Sequence, residues 1–284
     1  GYSMIQFFAT DLDGTFLNKT HQIDDRRKQC IQDVIKNGKH FAISTGRNIE
    51  GIQRIDIWDY PIYFILMNGA LIVNEQHEII KTFRINPGFI EKMVDRYAEY
   101  GFEYTTKDSI YVTISKEKAI ENFVLRRTLE GMDKEHIDSL LPRYVSQFHF
   151  SSTKEEIVNL DVLKINYFIL DETIRKEMEE FFELNHEYIN NTPSGKGYIE
   201  ITDIEGNKAN GVRILADYLN VSYDEVATFG DGKNDVSMLK EFPYSYAPED
   251  GSVEALDAAH YRIEPHYKDS VMKKIYEWME VTYE

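Results

Sequence analysis

The sequence predicts an α/β fold, with a parallel sheet built from both chain ends and an α+β segment inserted between them. Three observations carry this. Short apolar runs alternate with helical stretches at the start of the chain, the same alternation returns after Gly206, and between about 84 and 203 strands follow one another without an intervening helix. The expected division is residues 1–83 and 204–284 for the sheet-and-helix body, and 84–203 for the insert.

Taken in order, Ile5–Thr10 is an apolar run that stops at Asp11-Leu12-Asp13-Gly14-Thr15. Asp24 is placed to cap a helix to about Asn37, with Gly38 as its stop. His40–Ser44 is a second strand ending at Thr45-Gly46-Arg47. A helix over Ile49–Ile57 leads to a third strand, Ile62–Met67, and Leu71–Val73 with Ile79–Phe83 reads as a hairpin. In the insert, Pro87–Tyr100 and Asp171–Leu184 are helices. Phe102–Thr105, Ile110–Ile114, Lys164–Leu170, Tyr188–Asn191 and Tyr198–Thr202 are strands, and Lys116–Leu160 is helical or irregular without a resolvable pattern. Beyond it come the helix Lys208–Leu219, the strand Val226–Phe229, a tight turn at Gly230-Asp231-Gly232, the helix Asn234–Lys240, the strand Tyr244–Ala247 and a last helix Ser270–Glu280. There is no internal repeat and no low-complexity tract.

Composition narrows the function. With 32 Lys+Arg against 49 Asp+Glu, the formal net charge is −17, which repels nucleic-acid backbones and anionic lipid alike. Neither is an expected partner, and nothing points to an obligate protein partner. Any anion site in so acidic a chain has to be locally positive, through a cation, Lys or backbone N–H groups. The single cysteine, Cys30, excludes an internal disulfide and sits at an apolar helix position, so it reads as a buried small hydrophobe. Gly1-Tyr2-Ser3 reads as a remnant ahead of a natural start at Met4, and no apolar stretch reaches the ~18–20 residues of a membrane span, so a cytoplasmic location is expected.

Four places carry residues capable of chemistry. Asp11 and Asp13 end a buried strand, where open α/β sheets place ligands. Asp231 and Asp235 repeat the theme in Gly230-Asp231-Gly232-Lys233-Asn234-Asp235. Each pair by itself reads as a solvated Asp-rich turn; four carboxylates at two strand ends make a hard oxygen site suited to Mg²⁺. A calcium loop fails at both, because Phe16 and Val236 stand where its Gly is required. Thr45-Gly46-Arg47 offers a hydroxyl and free N–H groups to an oxyanion, although Thr-Gly after a strand is also common turn chemistry. Lys208 begins a helix, where the dipole disfavours a cation unless an anion lies near. Gly195-Lys196 is not a phosphate loop, since the upstream Gly position is Asn190. No CxxC, HExxH or GxSxG occurs, and the 8 His show no ligand spacing.

These four segments, in this order, resemble the haloacid-dehalogenase superfamily of phosphohydrolases. Asp11-Leu12-Asp13-Gly14-Thr15 matches its first motif, Thr45 its second, Lys208 its third and Gly230-Asp231-Gly232-Lys233-Asn234-Asp235 its fourth. Thr-Gly-Arg, Asn68-Gly69-Ala70 and the long insert look like the Cof-type subgroup with a C2-type cap. The chain departs from the pattern at Ala209, where Gly is usual, and at Ala247-Pro248-Glu249-Asp250-Gly251, where a Gly-Asn-Ala-like segment is usual. The resemblance implies a Rossmann-like catalytic core with an inserted α+β cap that covers the catalytic edge and selects a small phosphorylated metabolite. It implies a Mg²⁺-dependent phosphatase in which Asp11 attacks phosphorus and Asp13 serves as acid and base. Mg²⁺ would be held by Asp11, the Asp13 carbonyl and Asp231 with Asp235. Leu12, Thr45, Gly46, Lys208 and Asn234 would bind the phosphate. A phosphomutase, or a non-catalytic sensor of a phosphorylated ligand, shares these residues. The Thr192–Gly197 segment reads equally as substrate-facing or as a plain turn.

Overall fold

The computed structural model describes residues 4–193 and 195–284. Gly1-Tyr2-Ser3 and the Ser194 of the Thr192–Gly197 segment lie outside the described residues. The chain forms two compact units, one from residues 1–83 and 205–284, the other from Arg84–Ile204.

The first unit is built on an eight-stranded sheet in the order Tyr261–Ile263, Tyr244–Pro248, Val226–Phe229, Phe7–Thr10, His40–Ser44, Tyr63–Leu66, Leu71–Val73, Ile79–Thr82. The first six strands run parallel and the last two antiparallel. Central strands are buried on both faces, which is why Phe7–Thr10 and Tyr63–Leu66 read as unbroken apolar runs rather than alternating ones. On one face Phe7, Ala9, Ala42 and Ile65 pack against Val212, Leu215 and Ala216 of the helix Lys208–Leu219. Gly211 of that helix has to be glycine, because a Cβ there would stand 2.6 Å from the Ile65 side chain. Cys30 is fully buried in the helix Asp25–Lys36, and burial pushes its thiol up, so it is a packing residue.

Phe7–Thr10 is the centre of the arrangement. It pairs with His40–Ser44 on one side and Val226–Phe229 on the other, with Thr10 opposite both Ile43 and Phe229. The chain leaves to one side from the N-terminal half and to the other from the C-terminal half, so this is the switch point where such sheets bind ligands. The register sets residues 11, 44–45 and 230–231 level along one edge.

The second unit holds a six-stranded sheet ordered Ile189–Asn191, Tyr198–Asp203, Lys164–Phe168, Glu103–Thr105, Ile110–Tyr111, Phe148–His149, antiparallel except for its last pair. Ile204 closes this unit because its N–H donates to the Tyr188 carbonyl at 2.9 Å. Tyr104, Ile165, Ile199 and Ile201 join Phe89, Met93, Phe181 and Phe182 in a core that covers one face. The alternate positions, Glu103, Lys164 and Glu200, therefore share the other face.

Several expected boundaries differ. The helix from Ile49 ends at Gln53, because Ile57 enters the core through a turn whose N–H meets the Ile55 carbonyl at 2.7 Å. The strand from Ile110 has only Ile110–Tyr111 in the ladder. The Lys116–Leu160 stretch is three helices, Lys116–Leu129, Lys134–Ser146 and Lys154–Val158, and a two-residue strand. Ser115, Asp133 and Thr153 cap those helices by accepting the N–H three residues on, a signal present in the sequence but masked by weak apolar periodicity. The helix Val253–Ala258 and the strand Tyr261–Ile263 were also missed. The first is short, though capped by Ser252, and the second is an edge strand with exposed side chains.

Candidate active site

The site grows from three adjacent strand ends and one helix start, all within the first unit. Asp11 follows Phe7–Thr10, and its Oδ1 accepts the Leu12 N–H at 2.8 Å. The chain turns sharply at Gly14, with φ +76°, where a Cβ would stand 2.2 Å from Asp231 Oδ2. Gly14 is thus required twice, for its conformation and for the close approach of the two acidic loops. Thr15 Oγ1 donates to Asp231 Oδ1 at 2.8 Å and so ties the first loop to the fourth.

Asp11, Asp231 and Asp235 converge, each offering a carboxylate oxygen within 4.8 Å of the others. Lys208 reaches the same point from the first turn of its helix. Its Nζ is fully buried, 2.7 Å from Asp235 Oδ1, 3.4 Å from Asp11 Oδ1, and donates to the Ser44 carbonyl at 3.0 Å. The anions that offset the unfavourable helix-start position are therefore in place. Asp235 is itself fully buried, and its Oδ2 accepts the N–H groups of Asp231 and Gly232 at 2.9 and 3.0 Å. It anchors Lys208 and folds the Asp231 loop.

Electrostatics follow from this crowding. Burial, then repulsion from Asp235, raises the Asp11 carboxyl well above the ordinary range, with Lys208 pulling the other way. Burial and Asp235 push Asp231 up to about 6. Burial alone would lower the Lys208 ammonium, but Asp11 and Asp235 outweigh it and hold it above its usual value. Three carboxyl groups crowd one ammonium, so Asp11 and Asp231 resist full ionisation unless a further cation joins them. The donor set is all oxygen. Both facts fit a hard divalent cation held by Asp11 and Asp231, with Asp235 beside them.

The remaining expected residues fall around this cluster. Asp13 stands apart from it by side chain: its half-exposed carboxylate is held by Arg47 at 3.0 Å. Thr45 is buried; its Oγ1 accepts the Arg47 N–H at 3.2 Å and its carbonyl accepts the Asn68 N–H at 3.0 Å. Gly46 follows, partly buried. Asn234 is buried and donates through Nδ2 to Asn68 Oδ1 at 3.0 Å. Ala209 is accommodated, its N–H meeting Ser237 Oγ at 3.2 Å. Pro248–Gly251 forms a turn whose Gly251 packs on the Asp231 backbone, and Ser252 N–H donates to the Asp231 carbonyl at 2.8 Å.

Asn68, Thr15 and Arg47 bind these loops together without having been singled out as site residues. Asn68 has φ 59° and bridges the Thr45 and Asn234 loops, and the next residue, Gly69, could not carry a Cβ, which would meet the Asn207 carbonyl oxygen at 2.1 Å. The Asn-Gly pair at a strand end was the available signal.

Residues 8–275 match the family model described as haloacid dehalogenase-like hydrolase. A 5-amino-6-(5-phospho-D-ribitylamino)uracil phosphatase of Bacillus subtilis is 22% identical over 276 residues, covering 97% of this chain and 96% of that one. A haloacid dehalogenase-like hydrolase structure from B. subtilis superposes with TM-score 0.78 at 20% identity, covering 95% and 99% of the two chains. A subclass IIB sugar phosphatase structure does so with TM-score 0.73 at 20% identity, covering 96% and 98%. At these identities the structures speak for the fold.

Proposed function

The chain belongs to the haloacid dehalogenase-like hydrolases and is an enzyme of their phosphatase kind, and we propose that it is a Mg²⁺-dependent phosphatase of small phosphorylated metabolites working through a phospho-aspartate on Asp11. The observation that carries this reading is the convergence of Asp11, Asp231 and Asp235 around a buried Lys208, more carboxyl groups than one ammonium can neutralise. Bound there, Mg²⁺ supplies the missing positive charge, which favours the anionic form of Asp11 and reduces its repulsion of a phosphate dianion.

An Asp11 carboxylate oxygen bonds to phosphorus as the bond to the leaving oxygen breaks. Asp13 in its acid form gives that oxygen its proton. Asp13 then takes a proton from water, whose oxygen bonds to phosphorus, releasing inorganic phosphate and the Asp11 carboxylate. The side chain of Asp13 is half exposed, outside the carboxylate cluster, which suits traffic of protons with leaving group and water; its own share in holding the cation falls to its backbone carbonyl. Lys208, the Thr45 hydroxyl, the N–H groups of Leu12 and Gly46 and the Asn234 amide receive the transferring oxygens. In the present arrangement the Leu12 N–H is given to Asp11 itself, while Asn234 Nδ2 gives one of its two hydrogens to Asn68 and has a second to offer phosphate.

Residues 84–204 act as the specificity unit in this reading. They are spliced into the chain between the Thr45 and Lys208 segments. The relatives named for a phosphorylated ribitylaminouracil and for sugar phosphates point to small metabolites as the substrate class.

The test is phosphate release from p-nitrophenyl phosphate and from a panel of sugar, nucleotide and cofactor phosphates. Activity vanishes in EDTA, returns with Mg²⁺, and returns poorly with Ca²⁺, which takes more ligands at longer distances. Full turnover in excess chelator, or preference for phosphoproteins over every metabolite, overturns the reading.

A further inference from the structure

The second unit holds a half-open cavity of about 260 Å³ between the helix Lys116–Leu129 and the ends of the strands Glu103–Thr105 and Lys164–Phe168. Its walls are mostly apolar, with the rings of Tyr100, Phe123 and Tyr167 and the side chain of Val112 among them. Leu129 and Leu170 also line it and stand 54% and 55% exposed, so apolar surface continues out to solvent.

Three charged residues, Glu103, Arg126 and Asp171, interrupt that lining, and the first two stand together. The Glu103 side chain is 16% exposed, and Arg126 Nη1 lies 3.9 Å from its carboxylate, beyond hydrogen-bond reach. Among the described residues no hydrogen bond reaches that carboxylate. Arg126 Nε is buried with no acceptor. An acceptor and a donor thus stand side by side with capacity unspent, and for the buried Arg126 Nε the missing partner is costly. Burial raises the Glu103 carboxyl, against the pull of Arg126.

Water is a poor tenant for this place. By liquid volume the cavity would hold roughly nine molecules, and its mostly apolar walls give those away from Glu103, Arg126, Asp171 and Asn122 few of the two to four polar partners each needs. A cavity of about 150 Å³ already takes up benzene, so this one has room for two fused rings.

We propose that this cavity is a ligand site within the second unit, for a small planar ring compound that is largely apolar and carries an N–H beside a C=O on one edge, as cyclic amides do. The ring N–H donates to Glu103, the C=O accepts from Arg126, and the ring faces lie against the aromatic walls. The inference does not rest on the phosphatase reading, and it is tested by binding rather than turnover. Such a ring arrives either as the organic part of a phosphorylated substrate or as a separate effector, and the chemistry of recognition is the same.

The probe is 2-quinolone, a fused-ring lactam, titrated calorimetrically into the full, metal-free chain beside N-methyl-2-quinolone, which lacks the donor. The expected result is saturable binding of the lactam and affinity about tenfold lower for its N-methyl analogue. Glu103→Leu and Arg126→Leu each weaken lactam binding by about tenfold, with melting curves to verify that the variants fold. The wild-type comparison of the two compounds stands even if a variant does not fold. Absence of lactam binding, equal affinity for the two compounds, or binding untouched by both substitutions in folded protein overturns the proposal. Competition of the lactam with p-nitrophenyl phosphate in the Mg²⁺-loaded enzyme would assign the ring to the substrate. Binding without competition would assign it to an effector, and either outcome upholds the site.

Discussion

The two sheets of this protein place charged residues in different ways. In the first unit the central strands are parallel, so Asp11, Thr45 and Asp231 arrive at one edge simply because their strands end there. In the second unit the strands are mostly antiparallel and charged residues are sorted by face. Glu103 and Glu200 both pair with Asn166, so the three lie in a row across three strands, and Lys164 stands one row away. An edge gathers short contiguous stretches, each a loop with its own turn chemistry. A face gathers single residues taken at every second position. Both units bury a lysine: Lys208 among Asp11 and Asp235, Lys164 at 2.8 Å from Glu200 with both side chains 7% exposed.

The sharpest break of this comparison lies at the edge. Asp11→Asn keeps the shape and removes the proposed nucleophile, so turnover of p-nitrophenyl phosphate falls about a thousandfold or more in a folded chain. Retention of a tenth of the activity would mean that the edge is not the chemical site. Next in size is Lys208→Met, which removes the one ammonium from the three carboxylates. Its kcat, measured at saturating Mg²⁺, drops about a hundredfold or more while KM changes less; an unchanged kcat would reduce Lys208 to a structural role.

On the face the expected effect is on stability. Lys164→Met leaves Glu200 buried beside a neutral side chain and costs about 3 kcal/mol in denaturant unfolding. A loss below 0.5 kcal/mol, by the same measurement, would show that the face is wet rather than buried.

The smallest effect is a pH dependence. Asp231 is held up to about 6 in the folded chain, against an ordinary 3.8. As pH rises the unfolded chain therefore releases this proton first, and the metal-free folded state loses stability between about pH 4 and 6 and stays lower above that. The melting temperature of Asp231→Asn should fall less than wild type over this window, and Mg²⁺ should raise the wild-type value above pH 6. Parallel curves for the two proteins in the absence of metal would contradict the crowding described for Asp231.

The sequence by itself determined the α/β class, a parallel sheet built from both chain ends, and the identity of the residues at its strand ends. These features are local: an apolar run, a stop, and a carboxylate or hydroxyl at the stop can be read without knowing what lies opposite. Tertiary structure alone decided what those residues do to one another. That Asp235 spends its carboxylate on Lys208 and two N–H groups, that Thr15 holds Asp231, and that Asn68 joins the Thr45 and Asn234 loops depend on pairings across as many as 216 positions. Asp13 shows the limit from the other side, since nothing in its motif tells that Arg47 takes its carboxylate. In the second unit the balance shifts further. The helix Lys116–Leu129 carries only weak apolar periodicity, and its Arg126 becomes a neighbour of Glu103 through packing of that helix against the sheet. Residues joined by tertiary packing leave no spacing in the chain, because the distance that matters is across space.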